Sequence, residues 1–184
     1  MNIRHSTIIL ALFLTCVSFL SGVNGALSAD VGKGAGNTVR VKKIYDGDTI
    51  GAVLDGHFEK IRLIGVDTPE MEQRPWGGKA RKYLESLLAG SNSRVSLEYD
   101  IERRDKYGRI LAYIWIQDGR MLNEEMLKNG FAVLFTCPPN VKYVVRFRAA
   151  QDKARDNKIG IWGSFKVKWN QPGFHGSSPG NSLL

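Results

Sequence analysis

Residues 38–66 read TVRVKKIYDGDTIGAVLDGHFEKIRLIGV, and the way this stretch divides decides the fold. Thr38 to Ile44 is rich in β-branched residues and reads as a strand. Asp46-Gly47 is a hairpin turn signal. Thr49 to Leu54 reads as a second strand, Asp55-Gly56 as a second turn, and Phe58 to Val66 as a third strand. The result is a three-stranded meander with short acidic turns between its strands.

Outward from the meander, Gly78 to Leu88 has helical spacing through Ala80, Tyr83, Leu84, Leu87 and Leu88, and Gly90 stops it. Arg94 to Tyr99 alternates through Val95, Leu97 and Tyr99, which predicts a fourth strand. Ile110 to Ile116 predicts a fifth, ended by Asp118-Gly119. Leu122 to Lys128 reads as a short helix stopped by Asn129-Gly130, and Val144 to Asn157 as a last helix with Val144, Phe147, Ala150 and Ala154 on one side. Five strands with a helix after the third and helices after the fifth predict an α+β, mainly β domain. Its architecture is a closed five-stranded barrel of the OB type with about three packed helices. Closure of such a barrel gathers distant turns at one rim.

The 184 residues suffice for one domain with its own core, and 43% hydrophobic residues exclude both a disordered chain and a multi-span membrane protein. There are 26 basic and 18 acidic side chains, a formal charge of +8. The first 29 residues hold one of the basic groups, Arg4, and no acid, so the remainder keeps +7. A basic excess favours polyanionic partners but also serves solubility. Site residues must decide between the two.

The N-terminus reads as an address. Met1 to His5 is short and positive, Ile8 to Leu20 is apolar apart from Thr15, Cys16 and Ser18, and small residues follow at Gly25, Ala26, Ser28 and Ala29. This is the order of a secretory signal over 1–29, with cleavage after Gly25, Ser28 or Ala29. The apolar run is shorter than the ~20 residues that span a bilayer comfortably. An uncleaved membrane anchor is the alternative to a secreted or periplasmic protein. Residues 30–37 read as a glycine-rich linker, residues 38–163 as the domain, and residues 164–184, rich in Gly, Ser, Pro and Asn, as a loose tail. Without Cys16 one thiol remains, Cys137, so no intrachain disulfide forms.

Three histidines, His5, His57 and His175, show no zinc-ligand spacing, and Cys137 has no partner. The chemistry falls to carboxylates and arginines. Asp48 and Asp67 end neighbouring strands, and two aspartates with a carbonyl and waters make an oxygen site of the kind calcium takes. Taken singly, Asp-Gly is an ordinary turn and Asp-Thr-Pro an ordinary strand exit. Arg62 lies five residues before Asp67. That odd spacing puts the two on opposite faces of one strand unless the chain bends, and Gly65 allows a bend. Arg109 follows Gly108 in a turn. Paired arginines suit phosphodiester cleavage, because a planar fork bonds two phosphoryl oxygens as charge builds on them. Glu70 is the candidate general base. Lys106 and Tyr107 are candidates for a second phosphate.

The strings stand in order: Asp46-Gly47-Asp48-Thr49, then Arg62-Leu63, then Val66-Asp67-Thr68-Pro69-Glu70, then Asp105-Lys106-Tyr107-Gly108-Arg109-Ile110-Leu111-Ala112-Tyr113, with Asn157 to Trp162 closing. Together they resemble the staphylococcal (micrococcal) nuclease family, the thermonucleases, from about Val39 to Trp162. The resemblance implies an OB-fold barrel and calcium-dependent hydrolysis of DNA and RNA, with a nucleic-acid substrate, no obligate protein partner and a monomer. It implies that Asp48 and Asp67 hold Ca2+ by their carboxylates and Thr68 by its carbonyl, with Asp46 behind them. It further implies that Arg62 and Arg109 stabilise the transition state, Glu70 is the proposed base, and Lys106 and Tyr107 bind a terminal phosphate. Two departures stand out. The loop Met71 to Gly78 is shorter than in the best-known member. Where that member has tyrosines flanking the base, this chain reads Phe135-Thr136-Cys137-Pro138-Pro139-Asn140, with Tyr143 as a candidate substitute. The alternatives are a non-catalytic nucleic-acid-binding OB-fold module and an envelope-associated protein binding anionic polymers through its basic face.

Overall fold

The computed structural model describes residues 37–163; the expected leader over 1–29, all of the linker except Asn37, and the tail over 164–184 lie outside the described residues. Among those described, no helix is long and apolar enough to cross a membrane.

Three antiparallel strands follow one another as the meander predicts: β1 (Thr38–Ile44), β2 (Thr49–Leu54) and β3 (His57–Leu63). The β2–β3 turn has Asp55 at φ 49° and Gly56 at φ 81°. Both values lie in the left-handed region that a two-residue hairpin of the right twist demands. The third strand is shorter than expected. It stops at Leu63, the chain turns at Gly65, and β4 (Val66–Asp67) leaves the barrel to pair with β7 (Val133–Leu134) as a separate two-stranded sheet. Gly65 sits at φ 78°, and a Cβ there would strike the Phe147 ring. Conformation and packing both therefore require glycine.

Strands β5 (Arg94–Glu98) and β6 (Ile110–Ile116) complete a closed barrel in the order β1-β2-β3-β6-β5. Closure comes from the parallel pairing of β3 with β6, where Ile61 faces Ile110 and Leu63 faces Ala112. Alternate residues point inward: Ile50 and Ala52 on β2, Ile61 and Leu63 on β3, Val95 and Leu97 on β5, all buried. Each of the isoleucine, leucine and valine side chains contributes about 1.5–3 kcal/mol on burial.

Helix α1 (Trp76–Ala89) starts two residues before Gly78, where its helical spacing begins in the sequence. The Gln73 carbonyl accepts the N–H groups of both Trp76 and Gly77 and so begins the helix early. Helices α2 (Leu122–Lys128) and α3 (Val144–Asp156) pack on each other, and α2 also packs on β6. A 3-10 turn over Gly160–Gly163 ends the described chain.

Candidate active site

The loop joining β1 to β2 carries Asp46-Gly47-Asp48. Asp46 Oδ1 accepts the Asp48 N–H at 2.9 Å, which fixes the loop and aims the Asp48 side chain. Asp48 Oδ2 then accepts the Thr68 N–H at 2.9 Å and the Thr68 hydroxyl at 2.8 Å. Thr68 thus clamps the first acidic string to the second by its side chain and amide, a contact that the carbonyl role expected for it does not foretell. A Cβ on Gly47 would press on Ala80 of α1 and on Thr68, so the loop is seated against both.

Arg62 points outward from β3, and the turn at Gly65 brings Asp67 back onto its side. NH1 lies 2.9 Å from Asp48 Oδ2 and donates to the Val66 carbonyl at 2.9 Å, while NH2 lies 3.1 Å from Asp67 Oδ1. One guanidinium therefore spans both aspartates, at side-chain exposures of 15% for Arg62, 7% for Asp48 and 13% for Asp67. Burial, reinforced by the Asp48 carboxylate, pushes Asp46 up to about 6. Burial also pushes Asp67 up to about 6, against the pull of Arg62 and with further push from Asp48 and Glu70. Four acidic groups thus crowd one cation.

The second arginine is set by a tight turn. Asp105 Oδ1 accepts the N–H groups of Tyr107 and Arg109, and its Oδ2 lies 2.6 Å from Arg109 Nε. Burial tends to raise Asp105, but the Arg109 guanidinium and these amides outweigh it and hold the carboxyl below its ordinary range. Arg62 and Arg109 line one cleft of about 520 Å3, together with Lys106, Tyr107, Leu111 and Phe135. Tyr107 is 72% exposed at its rim, with Arg109 5.5 Å from its ring centre.

Glu70 is exposed beside Asp67 and is held by its backbone: its N–H donates to Gln73 Oε1 and its carbonyl accepts the Gln73 N–H. Gly77 permits this, because a Cβ there would run into the Glu70 carbonyl. Phe135 lines the cleft, as does the exposed Cys137. Tyr143 does not substitute for a base-flanking tyrosine. Its ring packs edge-on to Tyr113 and its hydroxyl donates to Glu98. Sequence reasoning also passes over Asn123 of α2, fully buried. Its amide nitrogen donates to the carbonyls of Ile64 and Ala112, and its oxygen accepts the Ile114 N–H, so it pins the corner from which Asp67 hangs. The available signal was its place on the buried stripe with Met126 and Leu127.

The donor set suits a hard cation. One oxygen each of Asp48 and Asp67 meets the Arg62 guanidinium, and burial raises Asp67 despite that cation. Among the described residues no three His, Cys, Asp or Glu side chains are gathered so as to hold a metal ion. A cation held by Asp48 and Asp67 alone would take most of its oxygens from water or substrate.

Residues 60–164 match the model of a family described as Staphylococcal nuclease homologue. Among curated relatives, the thermonuclease of Staphylococcus intermedius is 43% identical over 132 residues, covering 69% of this chain and 77% of the relative. The thermonuclease of Staphylococcus hyicus is 35% identical over 84% of this chain and 93% of its own length. Endonuclease YncB of Bacillus subtilis (strain 168) is 37% identical over 75% of this chain and 67% of its own length.

Proposed function

This chain belongs to the staphylococcal nuclease family, and from that premise we propose how a nuclease built on these residues cleaves its substrate. The observation that carries the reading is the single Arg62 fork held between Asp48 and Asp67, opening on the same cleft as Arg109. Asp48, Asp67 and the Thr68 carbonyl would hold a calcium ion, which would supply charge neutralisation at the phosphodiester. Arg62 and Arg109 bond the phosphoryl oxygens more strongly as negative charge grows on them. Glu70 lies at the exposed edge and takes the proton from the attacking water. The new P–O bond forms from water, the P–O bond to one sugar breaks, and the departing oxygen takes a proton from solvent. Lys106 and Tyr107 hold a neighbouring phosphate at the rim.

Calcium in preference to magnesium rests on the family resemblance, since a site of few protein oxygens and several waters serves either ion. Secretion by the N-terminal segment and a monomeric state complete the proposal. The test is cleavage of DNA and of RNA by the purified chain in calcium and then in chelator. Cleavage that requires calcium, and that falls at least about a hundredfold in Glu70→Gln by the scale of general-base loss, is the expected result. Undiminished cleavage in chelator would remove the metal from the reading, and an unaffected Glu70→Gln would remove the base.

A further inference from the structure

Beside the cleft, the outer face of the β1–β2–β3 meander carries a cluster that the chemistry above leaves unused. In register across the three strands, Lys43 of β1 faces Gly51 of β2, which faces Lys60 of β3. Lys60 lies two residues before Arg62 and shares its outward side, so about 7 Å of strand separates this row from the active-site arginine. The ammonium groups of Lys43 and Lys60 lie 4.6 and 4.9 Å from the centre of one ring, that of Tyr45. Neither lysine enters an ion pair among the described residues. Between the two lysines the floor is glycine, and the Phe58 ring, in a residue 53% exposed, lies where a Gly51 Cβ would stand.

A mid-strand glycine weakens a strand, and an exposed phenylalanine gains little from folding. Two like charges drawn to one ring repel each other, with only the ring's quadrupole to offset them. An anion placed between them relieves that repulsion. The face therefore offers two aromatic surfaces and two uncompensated cations in one row, continuous with the site of phosphate chemistry. Interleaved cations and aromatic faces are what a flexible single strand needs: phosphates meet ammonium groups while unpaired bases lie on rings. A duplex hides its base faces and would use the lysines alone. The outer face of these strands is also where barrels of this type commonly carry oligonucleotides.

We propose that this face is an auxiliary single-strand-binding surface, on which Lys43 and Lys60 hold phosphates and Tyr45 and Phe58 stack bases of the substrate strand outside the cleft. The inference deepens the catalytic reading, since the bound strand runs on to Arg62. It also explains how a cleft of about 520 Å3 serves a polymer: the cleft takes the scissile region and the meander takes its continuation.

The test is direct binding in chelator, so that no cleavage is needed. A fluorescently labelled single DNA strand of about 16 nucleotides, the upper end of what one such barrel accommodates, is titrated with the full chain by anisotropy at several salt concentrations. Lys43→Ala/Lys60→Ala should lower the slope of log affinity against log salt by about 1.4, the value expected when two phosphates of a single strand are no longer neutralised. Tyr45→Ala should weaken binding about tenfold with little change in slope. The double substitution Arg148→Ala/Lys153→Ala removes the same charge from exposed positions on α3 and should leave affinity within about twofold by the scale of remote surface charge. Equal losses in the two double variants would overturn the surface, as would no loss in either. Equal weakening of duplex binding by Tyr45→Ala would overturn the stacking role. Cleavage in calcium, measured alongside, separates the readings. A wild type that cleaves while its variants bind normally sinks the surface alone, and variants that bind poorly in a chain that never cleaves sink the catalytic reading alone.

Discussion

Arg62 does two jobs that pull in the same direction. It faces the cleft, and it is the counterion of two nearly buried aspartates. Arg62→Ala should therefore cost stability as well as turnover. Breaking a buried pair costs about 3 kcal/mol, because the carboxylates are left without their cation. Among the described residues Arg109 pairs only with Asp105, and its side chain is 30% exposed. Arg109→Ala should lower turnover by ~10²-fold while shifting the urea midpoint little, as exposed pairs do. Urea denaturation of the two variants side by side checks the contrast; equal destabilisation would contradict it. Part of this was legible. The five-residue spacing of Arg62 and Asp67 forbade their meeting on one strand, and Gly65 pointed to the bend that brings them together. That Asp48 shares the same guanidinium was not legible, because sequence gives residue types at a site but not which charges answer one another. Gly77 was illegible for a similar reason. It falls within the loop read over Met71 to Gly78, yet its lack of a side chain is what lets the Glu70 carbonyl approach. Gly77→Ala should displace Glu70 and lower kcat with the fold intact, checked by circular dichroism beside kinetics.

At the level of elements, periodicity located the helices and the five barrel strands to within one or two residues at most ends. It missed β4 and β7, because two-residue strands have no period to read. It also missed what binds helix to sheet. Asn123 makes its three hydrogen bonds into the β3–β4 corner and β6. Asn123→Ala would strand buried backbone groups and should cost about 3 kcal/mol by calorimetry. A second tie is Glu98 at the end of β5. It accepts from Trp115 Nε1 at 2.7 Å, from the Tyr143 hydroxyl at 3.0 Å and from Lys142. Burial tends to raise Glu98, but the hydrogen bonds of Lys142, Trp115 and Tyr143 outweigh it and hold the carboxyl below its ordinary 4.5. A carboxylate depressed on folding stabilises above its unfolded value and loses that contribution as pH falls through the folded one. Lys142 is 53% exposed and screened, so Trp115 and Tyr143 carry most of the effect. Glu98→Gln should then be less stable than wild type at pH 7 by about 2 kcal/mol. The gap should narrow only below about pH 4.5, the ordinary value. A gap constant across the acid limb would contradict the assignment.

For the whole molecule, barrel closure is the step that makes a site from scattered strings. The parallel β3–β6 seam sets Arg62 beside Leu111, so the Arg109 turn opens onto the same cleft as Arg62. Composition left polyanion binding and solubility both open and gave no place for the charge. The register of Lys43, Gly51 and Lys60 appears only once the strands pair. A metal that binds the folded chain alone must also stabilise it, by about 2.7 kcal/mol at a hundred times its dissociation constant. Calcium should accordingly raise the melting temperature of the wild type and not that of Asp48→Asn. The central claim is that Asp48, Asp67 and the two arginines form one cleaving centre. It is tested most directly by the rate of single-strand cleavage as a function of calcium concentration, in wild type and Asp67→Asn. Half-saturating calcium should rise at least about tenfold in Asp67→Asn, as loss of an ion-holding group requires. An identical calcium dependence in the two proteins would contradict it.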